Sequence, residues 1–179
     1  MKVLKNYDEI LTFDYTEAHR AIDLVGNNNG AHVLDYITPL EDGIIEEERT
    51  DSVGFEGNGS YGNYIIINHE NGYKTRYAHL QTVNKHTGER VKKGDILGYM
   101  GATGYAFGGH LHLEIILNGE KINPYLYIFG DKLIKEPVIP PVVIPPKTEP
   151  KKIFTCEKDG IYYIKLRKFD ELYYIKGNI

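Results

Sequence analysis

The chain has 179 residues, of which 41% are hydrophobic and 26% charged, so it can form one domain of ordinary size with an appendage. A net charge of −4 at pH 7 argues against nucleic acid as a partner. The single cysteine, Cys156, excludes an internal disulfide framework and a metal site built from cysteines. No stretch approaches the roughly 20 apolar residues of a membrane span, so we expect no membrane partner.

Strand patterns dominate the chain. Its 15 tyrosines and 19 glycines, with no tryptophan, favour β structure. Residues 1–18 can supply a short strand, and residues 31–50 have the pattern of strand, turn and strand. The clearest hairpin joins residues 64–70 to residues 73–80, because the intervening Asn71-Gly72 suits a two-residue turn with positive φ. We therefore predict an all-β, antiparallel domain.

The returning strand of that hairpin carries a histidine. Strict alternation along a strand places Tyr73, Thr75, Tyr77 and His79 on one face. A Gly-rich stretch, residues 81–107, follows and predicts tight corners in a β domain. It lacks the spacing of a phosphate-binding loop.

Residues 110–117 predict the most informative strand. Apolar residues at every second position would turn Leu111 and Leu113 towards the core. His110, His112 and Glu114 would then share the opposite face. Two imidazoles on one face of a strand suit a metal or acid/base site, and a surface histidine pair beside a packed strand is the alternative.

Further histidines and a carboxylate complete a candidate site. His19 and Asp23 are four residues apart, which puts both on one face of a strand or a helix. Catalytic zinc takes three N or O ligands and a water, and two histidines with one carboxylate are a suitable set. The remaining histidines would then serve acid/base chemistry.

These motifs resemble a known family. His19-x-x-x-Asp23, Tyr-Ala-His79-Leu and His110-Leu-His112-Leu-Glu occur in the order and approximate spacing of the lysostaphin/LytM-type zinc metallo-endopeptidases. The central hairpin and the stretch Val-Lys-Lys-Gly-Asp-Ile-Leu-Gly also match. The resemblance covers about residues 15–130.

The resemblance implies an antiparallel β domain with a narrow groove and one zinc ion at its floor. It implies hydrolysis of peptide bonds in the stems or cross-bridges of bacterial peptidoglycan. Carried over motif by motif, His19, Asp23 and His112 would hold the zinc ion. His79 and His110 would be the catalytic histidines that activate the water or stabilise the tetrahedral intermediate.

Two tyrosines are predicted to contact the substrate. Tyr15, just before the first ligand, would reach the oxyanion. Tyr105 opens the run Tyr-Ala-Phe-Gly-Gly109, where family members commonly have Ser or Thr with Gly-Pro, so we expect a more aromatic groove wall. Glu114 could orient a ligand, but a structural role is favoured, and His32 is also interpreted as structural.

The domain organisation predicted is an endopeptidase domain over residues 1–130, a Pro-rich linker over 131–150, and a small basic, Tyr-rich β segment over 151–179. The last segment would dock, self-associate or bind cell wall. The N-terminus lacks the apolar core of a signal peptide. We therefore expect synthesis in the cytoplasm and action on the cell wall, as in a bacteriophage lysin or virion-associated hydrolase.

Two other classes of function stay open. A non-catalytic relative would bind cell walls or activate another hydrolase. A carrier or phosphotransfer module is the second, because the stretch Val-Lys-Lys-Gly-Asp-Ile-Leu-Gly also resembles turns in such β domains.

Overall fold

The computed structural model describes residues 2–69 and 72–130, together with the backbone of two strands nearer the C-terminus. The chain divides into two compact units, Met1–Pro137 and Val138–Ile179. The predicted linker, residues 131–150, lies outside the described residues.

Eleven strands of the first unit form one sheet. They are β1 (Asp8–Phe13), β2 (Ile22–Asn28), β3 (Ala31–Val33), β4 (Tyr36–Ile37), β5 (Gly43–Arg49), β6 (Asn63–Asn68), β7 (Tyr73–Val83), β8 (Arg90–Val91), β9 (Gly98–Met100), β10 (Leu111–Leu117) and β11 (Glu120–Ile122), and a short helix, α1 (Tyr125–Ile128), follows them.

The central path of the sheet runs β1-β2-β10-β7-β6-β5-β8. Side branches pair β3 with β2, β11 with β10, β9 with β7, and β4 with β9. All of these pairs are antiparallel. The prediction of an all-β, antiparallel domain is confirmed. Strand β10 lies between β2 and β7, so the sheet brings three distant stretches of sequence together.

Alternation along these strands builds the core on one face. Leu111, Leu113 and Ile115 of β10 are fully buried, as are Ile22 and Leu24 of β2. Each such side chain contributes about 1.5–3 kcal/mol through burial. Because successive side chains point to opposite faces, Asp23 and His112 are turned away from this core.

The second unit is described by two strands, β12 (Ile161–Ile164) and β13 (Tyr173–Lys176). They pair antiparallel, with Ile161 opposite Lys176. The other residues of the predicted β segment, 151–179, lie outside the described residues. Among the described residues, no helix has the length and apolar character needed to cross a membrane.

Candidate metal centre

Strand register places two of the three predicted ligands, Asp23 and His112, side by side. His112 of β10 is paired directly with Asp23 of β2 and, on its other side, with Ala78 of β7. Directly opposed residues of antiparallel strands project their side chains to the same face, about 4.5–5.5 Å apart. The carboxylate and the imidazole therefore meet above the sheet without any rearrangement of the backbone.

His19 reaches the same point from a turn. It precedes β2 in a turn over residues 17–19, where its N–H donates to the Thr16 hydroxyl at 3.0 Å. Arg20 has a left-handed φ of 53° and donates its N–H to the Thr16 carbonyl at 2.7 Å. The prediction that strand or helix periodicity joins His19 to Asp23 is therefore wrong. In an extended strand, four residues would separate them by about 13 Å.

The three donor atoms form a compact triangle. His19 Nε2 lies 3.2 Å from both Asp23 Oδ1 and His112 Nδ1, and His112 Nδ1 lies 3.1 Å from Asp23 Oδ1. A tetrahedral zinc ion with bonds of about 2.0–2.1 Å requires edges of about 3.3 Å between its ligands. Two imidazole nitrogens and a carboxylate are also donors that zinc prefers. The residues present therefore fit a zinc ion.

The electrostatics of this triangle also favour a cation. Burial opposes ionisation of Asp23, but hydrogen bonds from His112 and His19 outweigh it and hold the pKa of Asp23 well below its usual range. Burial likewise opposes protonation of His112, yet Asp23 and then Glu114 raise its pKa. The ionised Asp23 carboxylate at the triangle is an anionic donor that would attract a metal cation.

A β-bulge turns His79 towards this centre. Between the pairs Asn63↔Leu80 and Ile65↔Tyr77, β7 has one residue more than β6, and His79 has a left-handed φ of 61°. The prediction that His79 shares a face with Tyr77 is therefore wrong, because a bulge reverses the alternation and re-aims the side chain. The His79 ring instead lies 4.9 Å from the His110 ring, centroid to centroid.

Both His79 and His110 are held by backbone carbonyls. His79 Nδ1 lies 2.8 Å from the Thr103 carbonyl, and His110 Nδ1 lies 2.8 Å from the Gly108 carbonyl. A carbonyl only accepts, so in the neutral form of each ring Nδ1 carries the proton and Nε2 has the lone pair. Burial, and next the nearby His110, lower the pKa of His79 to about 4.

The structure thus brings all five predicted histidine and aspartate side chains together. His112 lies with His19 and Asp23, which with it form a possible metal-binding group among the described residues. His110 lies beside His79, with its Nε2 3.7 Å from Asp23 Oδ2. The roles assigned to these five residues from the resemblance stay predictions.

These side chains line a groove of about 730 Å³. Tyr105 lies in its wall, as the sequence suggested, and Phe107 beside it is 84% exposed. The Tyr105 and Phe107 rings are 5.1 Å apart, and the Phe55 ring lies 5.6 Å from each of them. We call Phe55, Tyr105 and Phe107 the aromatic wall; Tyr105 and Phe107 line the groove, and Phe55 packs against them without lining it. Only loop packing brings Phe55 to it, so sequence spacing does not reveal this residue.

Tyr15, which was predicted to contact the substrate, does not line the groove, whereas Tyr61, which was not predicted, does. The Tyr15 hydroxyl donates to the Lys121 carbonyl at 3.3 Å. Nothing in the local sequence pattern singled out Tyr61. His32, interpreted as structural, is exposed on β3 and lies at the groove edge.

Glu114 is buried directly behind His112. Its carboxylate contacts His112 Nε2 at 3.3 Å, and it also contacts Arg76 and Lys121. Burial opposes its ionisation, but hydrogen bonds from His112 and Lys121 and the charge of Arg76 lower the pKa of Glu114 to about 2. The alternation of residues 110–117 placed Glu114 on this face, but its partners come from two other strands.

The floor of the groove presents two histidines and one carboxylate that can hold a metal ion, with two further histidines beside them. This arrangement is typical of metal-dependent hydrolases. The comparison with known families agrees. The chain belongs to peptidase family M23, whose model matches residues 17–124. The resemblance to lysostaphin/LytM-type enzymes is confirmed.

Relatives and solved structures support this assignment. The peptidoglycan DD-endopeptidase ShyC of Vibrio cholerae is 40% identical over 108 residues, which is 60% of this chain and 22% of the relative. The DD-carboxypeptidase/endopeptidase Mpg of Neisseria meningitidis is 37% identical over 92 residues, 51% of this chain and 21% of the relative. The chain thus matches about a fifth of the length of these curated relatives.

A solved structure shows the same fold over nearly its whole length. The catalytic domain of the antimicrobial peptidase lysostaphin from Staphylococcus simulans is 25% identical, with a TM-score of 0.53. The match covers 69% of this chain and 92% of that domain.

Proposed function

We propose that the chain is a zinc-dependent endopeptidase that hydrolyses peptide bonds in the stems or cross-bridges of bacterial peptidoglycan. The single observation that carries the proposal is the triangle of His19, Asp23 and His112 donor atoms, 3.1–3.2 Å apart, next to two non-ligand histidines. Membership of peptidase family M23 and a relative named as a peptidoglycan DD-endopeptidase support the reaction and the substrate class.

His19 Nε2, Asp23 Oδ1 and His112 Nδ1 would hold the zinc ion. When bound, zinc lowers the pKa of a water to about 7 and polarises the carbonyl to be attacked. His79 stays neutral at neutral pH, because its pKa is about 4, so its Nε2 lone pair is available to accept a proton from the attacking water. The proton that His79 accepts can pass to the leaving amine, and the lone pair of His110 Nε2, beside His79, can accept the second proton of the water as the product carboxylate forms.

The groove wall would position the peptide. The aromatic wall offers apolar surface beside the catalytic histidines, and Tyr105 also carries a hydroxyl. Aromatic side chains bind apolar groups through their large rigid faces. We therefore assign Tyr105 to substrate binding, whereas Tyr15 is left without a substrate contact.

For the chain as a whole we propose a lysin of the bacteriophage type that acts on the cell wall, in which the small basic segment, residues 151–179, adds wall affinity or self-association. The Pro-rich stretch between this segment and the M23 domain suits a semi-rigid spacer. Light scattering of the full chain measures its mass and tests self-association. Pull-down of the full chain with insoluble cell walls tests wall affinity.

Digestion of purified cell walls tests the enzymatic proposal. We expect the purified protein to release peptide fragments. Release should stop when a chelator removes zinc and resume when zinc is added back. The matched control is His86→Ala. The His86 side chain is 68% exposed, pairs with Glu48 and does not line the groove. Mass spectrometry of the fragments identifies the bond that is cut.

Asp23→Ala completes this experiment. We expect it to abolish release of fragments while His86→Ala retains it. Full activity of Asp23→Ala, or activity that a chelator does not change, would contradict the proposal. A zinc content near zero in active wild-type protein would do the same.

A further inference from the structure

Glu114 is the most completely enclosed charged residue beside the groove. It lies on β10 two residues beyond His112, and none of its side chain is exposed. An ionised carboxylate in such a place is costly unless charges and hydrogen bonds compensate it. The cluster that surrounds Glu114 provides this compensation.

Four side chains hold the carboxylate. Arg76 of β7 approaches Glu114 Oε2 at 2.8 Å. Lys121 Nζ of β11 lies 2.6 Å from Oε1, and the Tyr61 hydroxyl donates to the same oxygen at 3.0 Å. The remaining contact is the one to His112 Nε2 at 3.3 Å. We call Arg76, Lys121, Tyr61 and Glu114 the Glu114 cluster.

This arrangement suits zinc on one nitrogen of His112 and a proton on the other. A carboxylate beside two cations stays ionised and can only accept hydrogen bonds. With zinc bound, the ring proton of His112 is on Nε2, which donates to Glu114, and the lone pair that faces the triangle is on Nδ1. That is the atom 3.1 Å from Asp23 Oδ1 and 3.2 Å from His19 Nε2.

The other histidine of the triangle has no such support. His19 Nδ1, the nitrogen remote from the triangle, is buried and has no hydrogen-bond partner among the described residues. Its orientation is set instead by the turn before β2 and by an edge-on contact with Phe13, whose ring centroid lies 4.9 Å away. Of the two imidazoles in the triangle, only that of His112 has a carboxylate behind it.

We propose that Glu114 is a positioning residue: it fixes the tautomer and the ring orientation of His112 and thereby strengthens zinc binding, while Arg76 and Lys121 hold Glu114 in place. The inference rests on the proposed function, in which His112 is a zinc ligand. A carboxylate that receives the remote N–H of a metal-bound histidine raises the affinity for the metal, and its loss typically costs 10- to 100-fold.

A purely structural role is the competing explanation. The Glu114 cluster joins β7, β10 and β11, so its removal would lower stability whatever it does for His112. A structural role predicts changes in unfolding alone. The positioning role predicts changes in the tautomer of His112 and in zinc affinity among variants that are folded.

The test compares Lys121→Met with the double variant Glu114→Gln/Lys121→Met. The single variant keeps the carboxylate on His112. The double variant replaces it with an amide and leaves the net charge of the cluster as in the wild type, so Arg76 is not left beside an extra unpaired cation. Circular dichroism and thermal unfolding establish that each protein is folded before the comparison.

Two measurements are made on the full chain. Competition with a chelator gives zinc affinity, and ¹⁵N NMR of histidine in the zinc-loaded protein gives the tautomer of His112. In wild type and Lys121→Met we expect the Nε2–H tautomer and zinc affinities within about threefold of each other. In the double variant we expect a mixture of tautomers and zinc affinity weakened about 10- to 100-fold.

Equal zinc affinity and an unchanged His112 tautomer in the two variants would overturn the inference and leave the proposed function intact. Wild-type protein that binds no zinc would instead overturn the proposed function. The inference would fall with it, because it concerns the affinity of His112 for zinc.

Discussion

His112 and Asp23 are paired directly across β10 and β2, and His112 Nδ1 lies 3.1 Å from Asp23 Oδ1. Eighty-nine positions separate these residues in the chain, so the register of two non-consecutive strands creates this contact. A slip by one residue would send one of the two side chains to the core face. Burial of Leu24 opposite Leu111 on that face therefore also protects the metal centre.

The two histidines of the His-Leu-His motif should differ in their effect on zinc. We expect His112→Ala to reduce bound zinc from about one ion per chain to a small fraction, because a donor of the triangle is lost. His110→Ala should retain zinc and lose about 10²- to 10⁴-fold in rate, the usual contribution of a proton-transfer group. Atomic absorption measures the zinc, and release of wall fragments measures the rate.

His79→Ala provides a second comparison for the same assignment. It removes the other histidine held by a carbonyl. We expect the variant to retain bound zinc and to release wall fragments more slowly, as for His110→Ala. Loss of zinc in His110→Ala with zinc retained in His112→Ala would reverse the roles assigned to these two residues.

The aromatic wall should act on substrate binding. Phe107→Ala removes a ring that is 84% exposed, so the fold should tolerate it, while substrate loses an apolar contact worth about 0.5–1.5 kcal/mol. We expect KM to rise about 2- to 10-fold with little change in kcat, measured on a soluble peptide released from walls. Tyr105→Ala should behave in the same way.

A matched control for the aromatic wall is Tyr99→Ala. Tyr99 contacts Tyr36 with ring centroids 5.3 Å apart, in a cross-strand pair that does not line the groove. An unchanged KM in Phe107→Ala and Tyr105→Ala, or an equal rise in Tyr99→Ala, would show that the aromatic wall is not a substrate surface.

His69 should make stability depend on pH. It is buried between the Asp42 carbonyl, which accepts from Nδ1 at 2.9 Å, and the Thr75 hydroxyl, 2.8 Å from Nε2. Burial lowers its pKa below the ordinary value near 6.5. As pH falls through about 6.5, His69 binds a proton in the unfolded chain but stays neutral in the folded chain. The free energy of unfolding therefore decreases.

Urea unfolding at pH 7.5 and pH 5.0 measures this effect. The wild type should lose stability between the two values, and His69→Gln, although less stable at pH 7.5, should lose less over the same interval. The other histidines are common to both proteins, and their contributions cancel in the comparison. Equal losses in the two proteins would contradict a role for His69.

Gly104 should be intolerant of a side chain. Its φ is +76°, and an added Cβ would lie 2.2 Å from the Gly62 backbone nitrogen, where two loops meet behind Tyr105. We expect Gly104→Ala to lower stability by about 2 kcal/mol or more, from backbone strain and the forced separation of the loops. Gly108→Ala is the control, because nothing lies within 4 Å of its added Cβ. Similar melting temperatures for the two variants would contradict this view.

The sequence alone was sufficient for the fold class and for most of the candidate residues. Covalent geometry imposes a period of two on a strand, so residues 110–117 could be divided into a core face and a site face without a structure. The three motifs then indicated the family. Local pattern carries this information, because the alternation and the turn residues of each hairpin lie within a few positions of one another.

Only the tertiary structure showed how His79 and His19 reach the groove, because the local alternation is interrupted at both residues. His79 reaches the groove through a β-bulge, and His19 reaches it through a turn with a left-handed residue. Alternation predicts neither, because both depend on the conformation of one or two residues that packing against other strands enforces.

Long-range pairing also decided the surroundings of the site. Glu114 was placed on the correct face by its sequence, but Arg76 and Lys121 come to it from β7 and β11. Phe55 likewise joins Tyr105 through loop packing. The sequence by itself therefore determined which residues could do chemistry, whereas the pairing of distant strands, driven by burial of their apolar faces, determined which atoms meet.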